Sequence, residues 1–213
     1  MTLRLHNFFR SSTSTRVRVA LNLKGLAYDY VPYVLRDGQT RTPEYLAINP
    51  QGLVPTLERE DGSYLTQSMA IIEWLDETHP TPPLLPADAD GRARVRALSQ
   101  LIACEVHPLN NLRVLQYLQQ NFGANDAVQK DWFTHWLTLS FDALETQLAC
   151  DAATFCHGET PTMADICLYA QVWNNRRFAI PTKSWPTIAR IFAALDALPA
   201  FHNAAPPAQP DAI

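Results

Sequence analysis

The feature that most constrains this chain is the Pro-rich segment PTPPLLPADAD at residues 80–90, because the hydrophobic period changes across it. Ahead of it, short strand and helix patterns alternate. LRLHNF alternates apolar and polar residues as a short strand does, and RVRVALNLKG reads as a helix closed at Gly25, which suits a left-handed cap. The β-branched and aromatic run YDYVPYVL (28–35) reads as a second strand, and its Pro32 assigns it to a sheet edge. A short helix near Thr42–Leu46 follows, then a strand introduced by Val54-Pro55, then GSYLTQSMAIIEWLDETHP as turn, strand and helix. The order to residue 80 is β-α-β-α-β-β-α. Behind the segment only helical periods appear, over roughly 90–120, 128–149, 162–177 and 186–198, with the tail AAPPAQPDAI read as extended and loose. The expected fold class is therefore α/β plus all-α: an α/β domain over 1–80, a linker over 81–90 and a helical domain over 91–213.

The stretch FFRSSTSTRVRVAL (8–21) sets five hydroxyl residues and three arginines between an aromatic pair and an apolar run, a composition suited to holding an anion. That positive charge is local, because the net charge of −4 lacks the broad basic face of a nucleic-acid binder. Charged residues make up only 18% of the 213, so some apolar surface is expected to be buried against a partner, most simply a second copy of the chain. MTLRLHNFF lacks the apolar core of a signal peptide, and no apolar run reaches membrane-spanning length. Cys104, Cys150, Cys156 and Cys167 have no Cys-x-x-Cys spacing; they read as reduced, small buried hydrophobes of a cytoplasmic protein, and no metal site is expected.

Two further motifs have a local physical reading. In LTQSMAII a strand leads straight into a helix whose first turn carries Gln67 and Ser68, which makes an anion seat, an N-cap, or both. In GETPTMADICL, Thr162 and Asp165 stand three apart before an apolar run, the spacing of a capping box that starts a central helix. Arg16 and Arg18 alternate with Val17 and Val19, and are read as charges facing water. The tryptophans are read as packing residues.

The element order together with SSTSTRVRVAL, LNPQGLVPTL, LTQSMAIIEWL, LLPADADGRARVRAL, HPLNNLRVLQYL and NNRRF resembles the zeta-class glutathione transferases, and within them the bacterial maleylacetoacetate and maleylpyruvate isomerases. The resemblance covers nearly the whole chain. It implies a thioredoxin-like N-terminal domain, a helical C-terminal domain, a homodimer, and glutathione as cofactor. It places the γ-glutamyl end of glutathione on Gln67 and Ser68. It makes Val54-Pro55 a cis bond whose backbone pairs with the cysteinyl part, with Gln51 as a further contact. Ser11 matches the family's thiol-activating serine, with Ser12 beside it, and Thr13 stands where the class has cysteine. Thr15 stands where the class often has tryptophan.

The implied substrate is a cis ene-dione with a carboxylate at each end. Arginine suits such a substrate, since its planar fork holds a carboxylate bidentately. Arg10 and Arg177 are the catalytic candidates beside Ser11, with Arg176 and Arg113 as lesser substrate contacts. His107, Asn110 and Asn111 are expected to order glutathione. The implied activity is isomerisation of maleylacetoacetate. Maleylpyruvate isomerisation, glutathione transfer to α-halo acids, and glutathione binding without catalysis are the alternatives.

Overall fold

The computed structural model describes residues 2–212. The chain divides into two compact units, one formed by the residues up to Leu84 together with those from Asp196 onward, the other by Leu85–Leu195. Residues 196–212 thus group with the first unit, whereas the sequence assigned them to the helical part.

The first unit runs β1 (Leu3–Asn7), α1 (Ser12–Leu23), β2 (Tyr28–Pro32), α2 (Pro43–Ile48), β3 (Thr56–Glu58), β4 (Tyr64–Thr66) and α3 (Ser68–Thr78). The four strands form one sheet in the order β2-β1-β3-β4. β1 pairs parallel with β2 and antiparallel with β3, which puts Leu5 opposite both Tyr30 and Leu57. β2 is an edge strand ending at Pro32, where the missing N–H costs no ladder bond. α1 and α3 pack together, and Leu5, Val17, Val19, Leu57, Ile71 and Ile72 are fully buried. Gly25, at φ +65°, follows α1 in the left-handed region that favours glycine.

Two expectations fail here. Arg16 and Arg18 do not face water: they are 1% and 0% exposed. The tail is not loose either. It forms α10 (Pro199–His202), buries Phe201, Ala204 and Ala205, and sends Asp211 to accept from the Phe9 N–H at 3.2 Å and from the Tyr30 hydroxyl. Ala200 O accepts from Asn22 Nδ2 at 2.9 Å, and Ala204 O accepts from Arg18, so both faces of α1 are covered.

The second unit contains α4 (Ala89–Gln100), α5 (His107–Leu109), α6 (Leu112–Phe122), α7 (Asp126–Asp151), α8 (Met163–Arg176) and most of α9 (Pro186–Asp196). The single helix expected over 90–120 is broken. A π-helical turn spans Leu101–Val106, Asn110 leaves the helix at φ −103°, ψ 9°, and extended Asn111 restarts it by capping α6. α8 is buried along nearly its whole length and begins with the expected capping box, in which the Asp165 carboxylate accepts from the Thr162 N–H at 2.8 Å. Cys156 and Cys167 are buried as expected, but Cys104 and Cys150 are exposed, and none of the four forms a disulfide. Among the described residues no helix is long and apolar enough to cross a membrane.

Candidate functional site

The first set of candidate residues lies where β1 turns into α1 and where the loop before β3 meets α3. Ser11 is the N-cap of α1, and its Oγ accepts from the Ser14 N–H at 3.2 Å. Ser11 Oγ and Thr13 Oγ1 lie 2.8 Å apart, and Thr13 Oγ1 donates to Val54 O at 3.1 Å. A hydroxyl has one proton. With that of Thr13 directed at Val54 O, Ser11 is the donor of the 2.8 Å bond, and a directed chain runs Ser11 → Thr13 → Val54 O. Ser12 is buried beside them.

The Val54-Pro55 bond is cis, as the resemblance implies. The loop before it is held by Leu53 O, which accepts from Tyr45 Oη at 2.7 Å and from Asn49 Nδ2 at 2.8 Å. Gly52 has φ +62°, and a Cβ there would lie 2.8 Å from Thr40 O, so the tight approach requires glycine. Gln51 Oε1 accepts from Gln67 Nε2 at 2.8 Å. Gln67 itself has φ +68°, a costly conformation for a residue with a Cβ, directly before α3. α3 then starts at buried Ser68 with no side-chain cap and no acidic residue in its first turn.

Arg10 is exposed, with its guanidinium 5.1 Å from the ring centre of Phe9 and 5.7 Å from that of Phe8. The two residues before it are fixed from both sides. Asp211 accepts from Phe9 N, while buried Arg18 donates to Asn7 Oδ1 and Phe9 O at 2.9 Å and to Phe8 O at 3.4 Å. Burial lowers the Arg18 pKa to about 10, with Tyr30, Tyr28 and Asp211 opposing that shift. On the sheet, His6 is buried between Tyr33 Oη at 2.9 Å and Glu58 Oε2 at 3.2 Å. Desolvation lowers its pKa, and the bond to Glu58 opposes this.

The second unit carries the remaining candidates. His107 Nε2 and Asn111 Nδ2 lie 3.2 Å apart, and Asn111 Oδ1 caps α6 by accepting from Arg113 N at 3.1 Å. Buried Asn110 donates through Nδ2 to Phe133 O at 3.4 Å, leaving its Oδ1 without a partner. The Phe133 ring stacks on Phe178 at 4.1 Å between centroids, and the Arg177 guanidinium lies 5.1 Å from the Phe178 ring. Asn110, Phe133, Phe178 and Arg177 thus form a continuous run of contacts. Arg176 sits instead over Trp173 at 4.1 Å and Phe192 at 4.8 Å. Arg113 is exposed.

Sequence reasoning missed Arg16. Its Nη1 donates to Ser68 Oγ at 3.4 Å, which attaches a buried cation to the start of α3. No local signal marked it, because α1 (STSTRVRVALNL) carries enough polar residues to read as a helix with a solvated side.

Chemically, the first unit offers two helix N-termini bearing hydroxyls, a cis X-Pro carbonyl loop, and buried positive charge. That set suits an elongated anionic peptide carrying a reactive group beside Ser11. Comparison with known proteins is consistent with this chemistry. The glutathione S-transferase N-terminal domain family matches residues 10–78. A maleylpyruvate isomerase of a Ralstonia species is 48% identical over 98% of this chain and 99% of its own. The holo structure of maleyl pyruvate isomerase, a bacterial glutathione S-transferase of zeta class, superposes with a TM-score of 0.96 at 48% identity, covering 99% of this chain and 100% of that one. Maleylacetoacetate isomerase from Methylobacterium extorquens AM1, solved with bound malonate and glutathione, superposes with a TM-score of 0.95 at 40% identity, covering 99% of each chain.

Proposed function

Because the chain belongs to the zeta-class glutathione transferases, we propose that it is a glutathione-dependent cis–trans isomerase converting maleylacetoacetate to fumarylacetoacetate in tyrosine and phenylalanine catabolism. The observation that carries the reading is the Ser11 hydroxyl at the N-terminus of α1, linked through Thr13 to the cis Val54-Pro55 loop, on a scaffold similar over its full length to isomerases of this kind.

The residues present fit glutathione. Ser68 starts a helix without a cap or an acid, and a buried arginine with unpartnered N–H groups adjoins it, so an anionic group is favoured there. In this reading Gln67 and Ser68 hold the γ-glutamyl end, with Gln51 beside them, while the backbone of Val54, turned by Pro55, pairs with the cysteinyl part. Ser12, Thr13, His107, Asn110 and Asn111 complete the cofactor contacts. Glutathione, when bound, would supply a thiolate nucleophile for reversible addition to the alkene.

When glutathione is bound, the Ser11 hydroxyl would turn its one proton from Thr13 to the thiolate, and the N-terminus of α1 favours that charge, which matters because a free thiol with pKa near 8.5 is mostly protonated at neutral pH. Arg10 and Arg177 hold the carboxylates and stabilise negative charge developing on the dione oxygens. Arg176 and Arg113 are lesser substrate contacts. The enzyme works as a cytoplasmic homodimer, and its cysteines, none of them in a disulfide, fit a reducing compartment. Maleylpyruvate is the second reading, favoured by the Ralstonia relative. Measuring kcat/KM for both substrates at saturating glutathione decides between them: the higher value for maleylacetoacetate supports the first reading, and the reverse order replaces it with the second.

A further inference from the structure

Two buried arginines leave α1, and they differ in one respect. Arg18 directs its N–H groups to Asn7, Phe8, Phe9, Thr15 and Ala204. Arg16, at 1% exposure, makes one bond of 3.4 Å to Ser68 Oγ, and its Nε and Nη2 have no partner. Among the described residues no carboxylate forms an ion pair with it. Burying an unpaired charge is costly, and buried charges in folded proteins are paired or fully hydrogen-bonded. An anion bound beside Arg16 would offset that cost. The place where that anion fits adjoins it: α3 begins at Ser68, eleven residues long, with neither a side-chain cap nor an acid in its first turn.

We infer that Arg16 is a positioning residue for the γ-glutamyl carboxylate that the proposed function seats at Ser68. The inference rests on the proposed use of glutathione. Arg16 acts in two ways. By donating to Ser68 Oγ it occupies an acceptor site of that hydroxyl and leaves the Ser68 proton for the carboxylate. Its charge is also screened little by salt, because it is buried, and so reaches the anion through Ser68. Ligands that keep the cysteine but lack the γ-glutamyl carboxylate gain nothing from it.

The test is titration calorimetry of glutathione and of cysteinylglycine, which lacks the γ-glutamyl unit, with the wild type, Arg16→Met and Arg16→Lys. The methionine variant should bind glutathione about ten- to a hundredfold more weakly and cysteinylglycine unchanged, with kcat at saturating glutathione within about twofold of wild type. The lysine variant keeps the charge and should recover part of the loss, and it carries the test alone if methionine prevents folding. Equal weakening of both ligands, no weakening of either, or a change confined to subunit dissociation would overturn the inference while leaving the isomerase reading intact. A wild type that does not bind glutathione overturns both.

Discussion

Replacing Arg18 by methionine keeps most of the side chain's length and removes six hydrogen bonds from the centre of the first unit. Not every acceptor is stranded. Phe8 O still receives the Ser11 N–H at 3.0 Å, and Thr15 Oγ1 still donates to Ser11 O at 3.1 Å. Asn7 Oδ1, Phe9 O and Ala204 O lose their donor. A buried acceptor left without a partner costs about 1–3 kcal/mol, so the three together cost roughly 6 kcal/mol. Relief from burying a guanidinium returns part of this, and a net loss of about 3–4 kcal/mol remains. For a chain of this size that lowers Tm by about 6–16 °C. Differential scanning calorimetry at neutral pH measures it, and Arg18→Lys, which retains a charge and three donors, should fall by less than half as much. A drop of under about 2 °C for the methionine variant would refute the reasoning, because it would mean that the three acceptors are not stranded.

Ser11→Ala should lower kcat by about a hundredfold while changing the dissociation constant of glutathione by less than about threefold, read by turnover and calorimetry together; equal losses would make Ser11 a structural cap only. Arg177→Met should raise the substrate KM by about ten- to a hundredfold. Arg176→Met should do less, because that guanidinium is held over Trp173 and Phe192, and steady-state kinetics compares the two. His6 gives a pH dependence. Burial depresses its folded pKa below 6.5, so its contribution to stability is present above pH 6.5 and is lost as pH falls from 6.5 towards the depressed value, where only the unfolded chain takes up the proton. Urea midpoints at neutral pH and at about pH 5.5 should show a fall that His6→Gln reduces.

The parts of the fold legible in sequence are those fixed by local chemistry. Alternation marked β1, Pro32 marked an edge, Gly25 ended α1, and the Thr162–Asp165 spacing marked the start of α8. What was not legible depends on distant contacts. The alternation of Arg16 and Arg18 with valines resembles a helix with a wet face, but α3 and the returning tail both pack on α1, where Arg16 donates to Ser68 and Arg18 to Ala204. The same return explains the tail, where a Pro-rich composition suggested looseness but Asp211 and buried Phe201 anchor it. The π-helical turn at Leu101–Val106 leaves no periodic signature, so one long helix was expected where several pieces exist. At the candidate site, hydroxyls and arginines announced an anion in the primary sequence. The direction of the Ser11–Thr13–Val54 chain needed coordinates, because it brings together residues forty-one positions apart.

The central claim is that glutathione takes part in isomerisation without being consumed. The most direct measurement is the conversion of maleylacetoacetate to fumarylacetoacetate over many turnovers, with total free glutathione titrated before and after. The account predicts no conversion without glutathione, complete conversion with a catalytic quantity of it, and an unchanged thiol count. Loss of thiol in step with substrate would contradict it and identify a conjugating transferase.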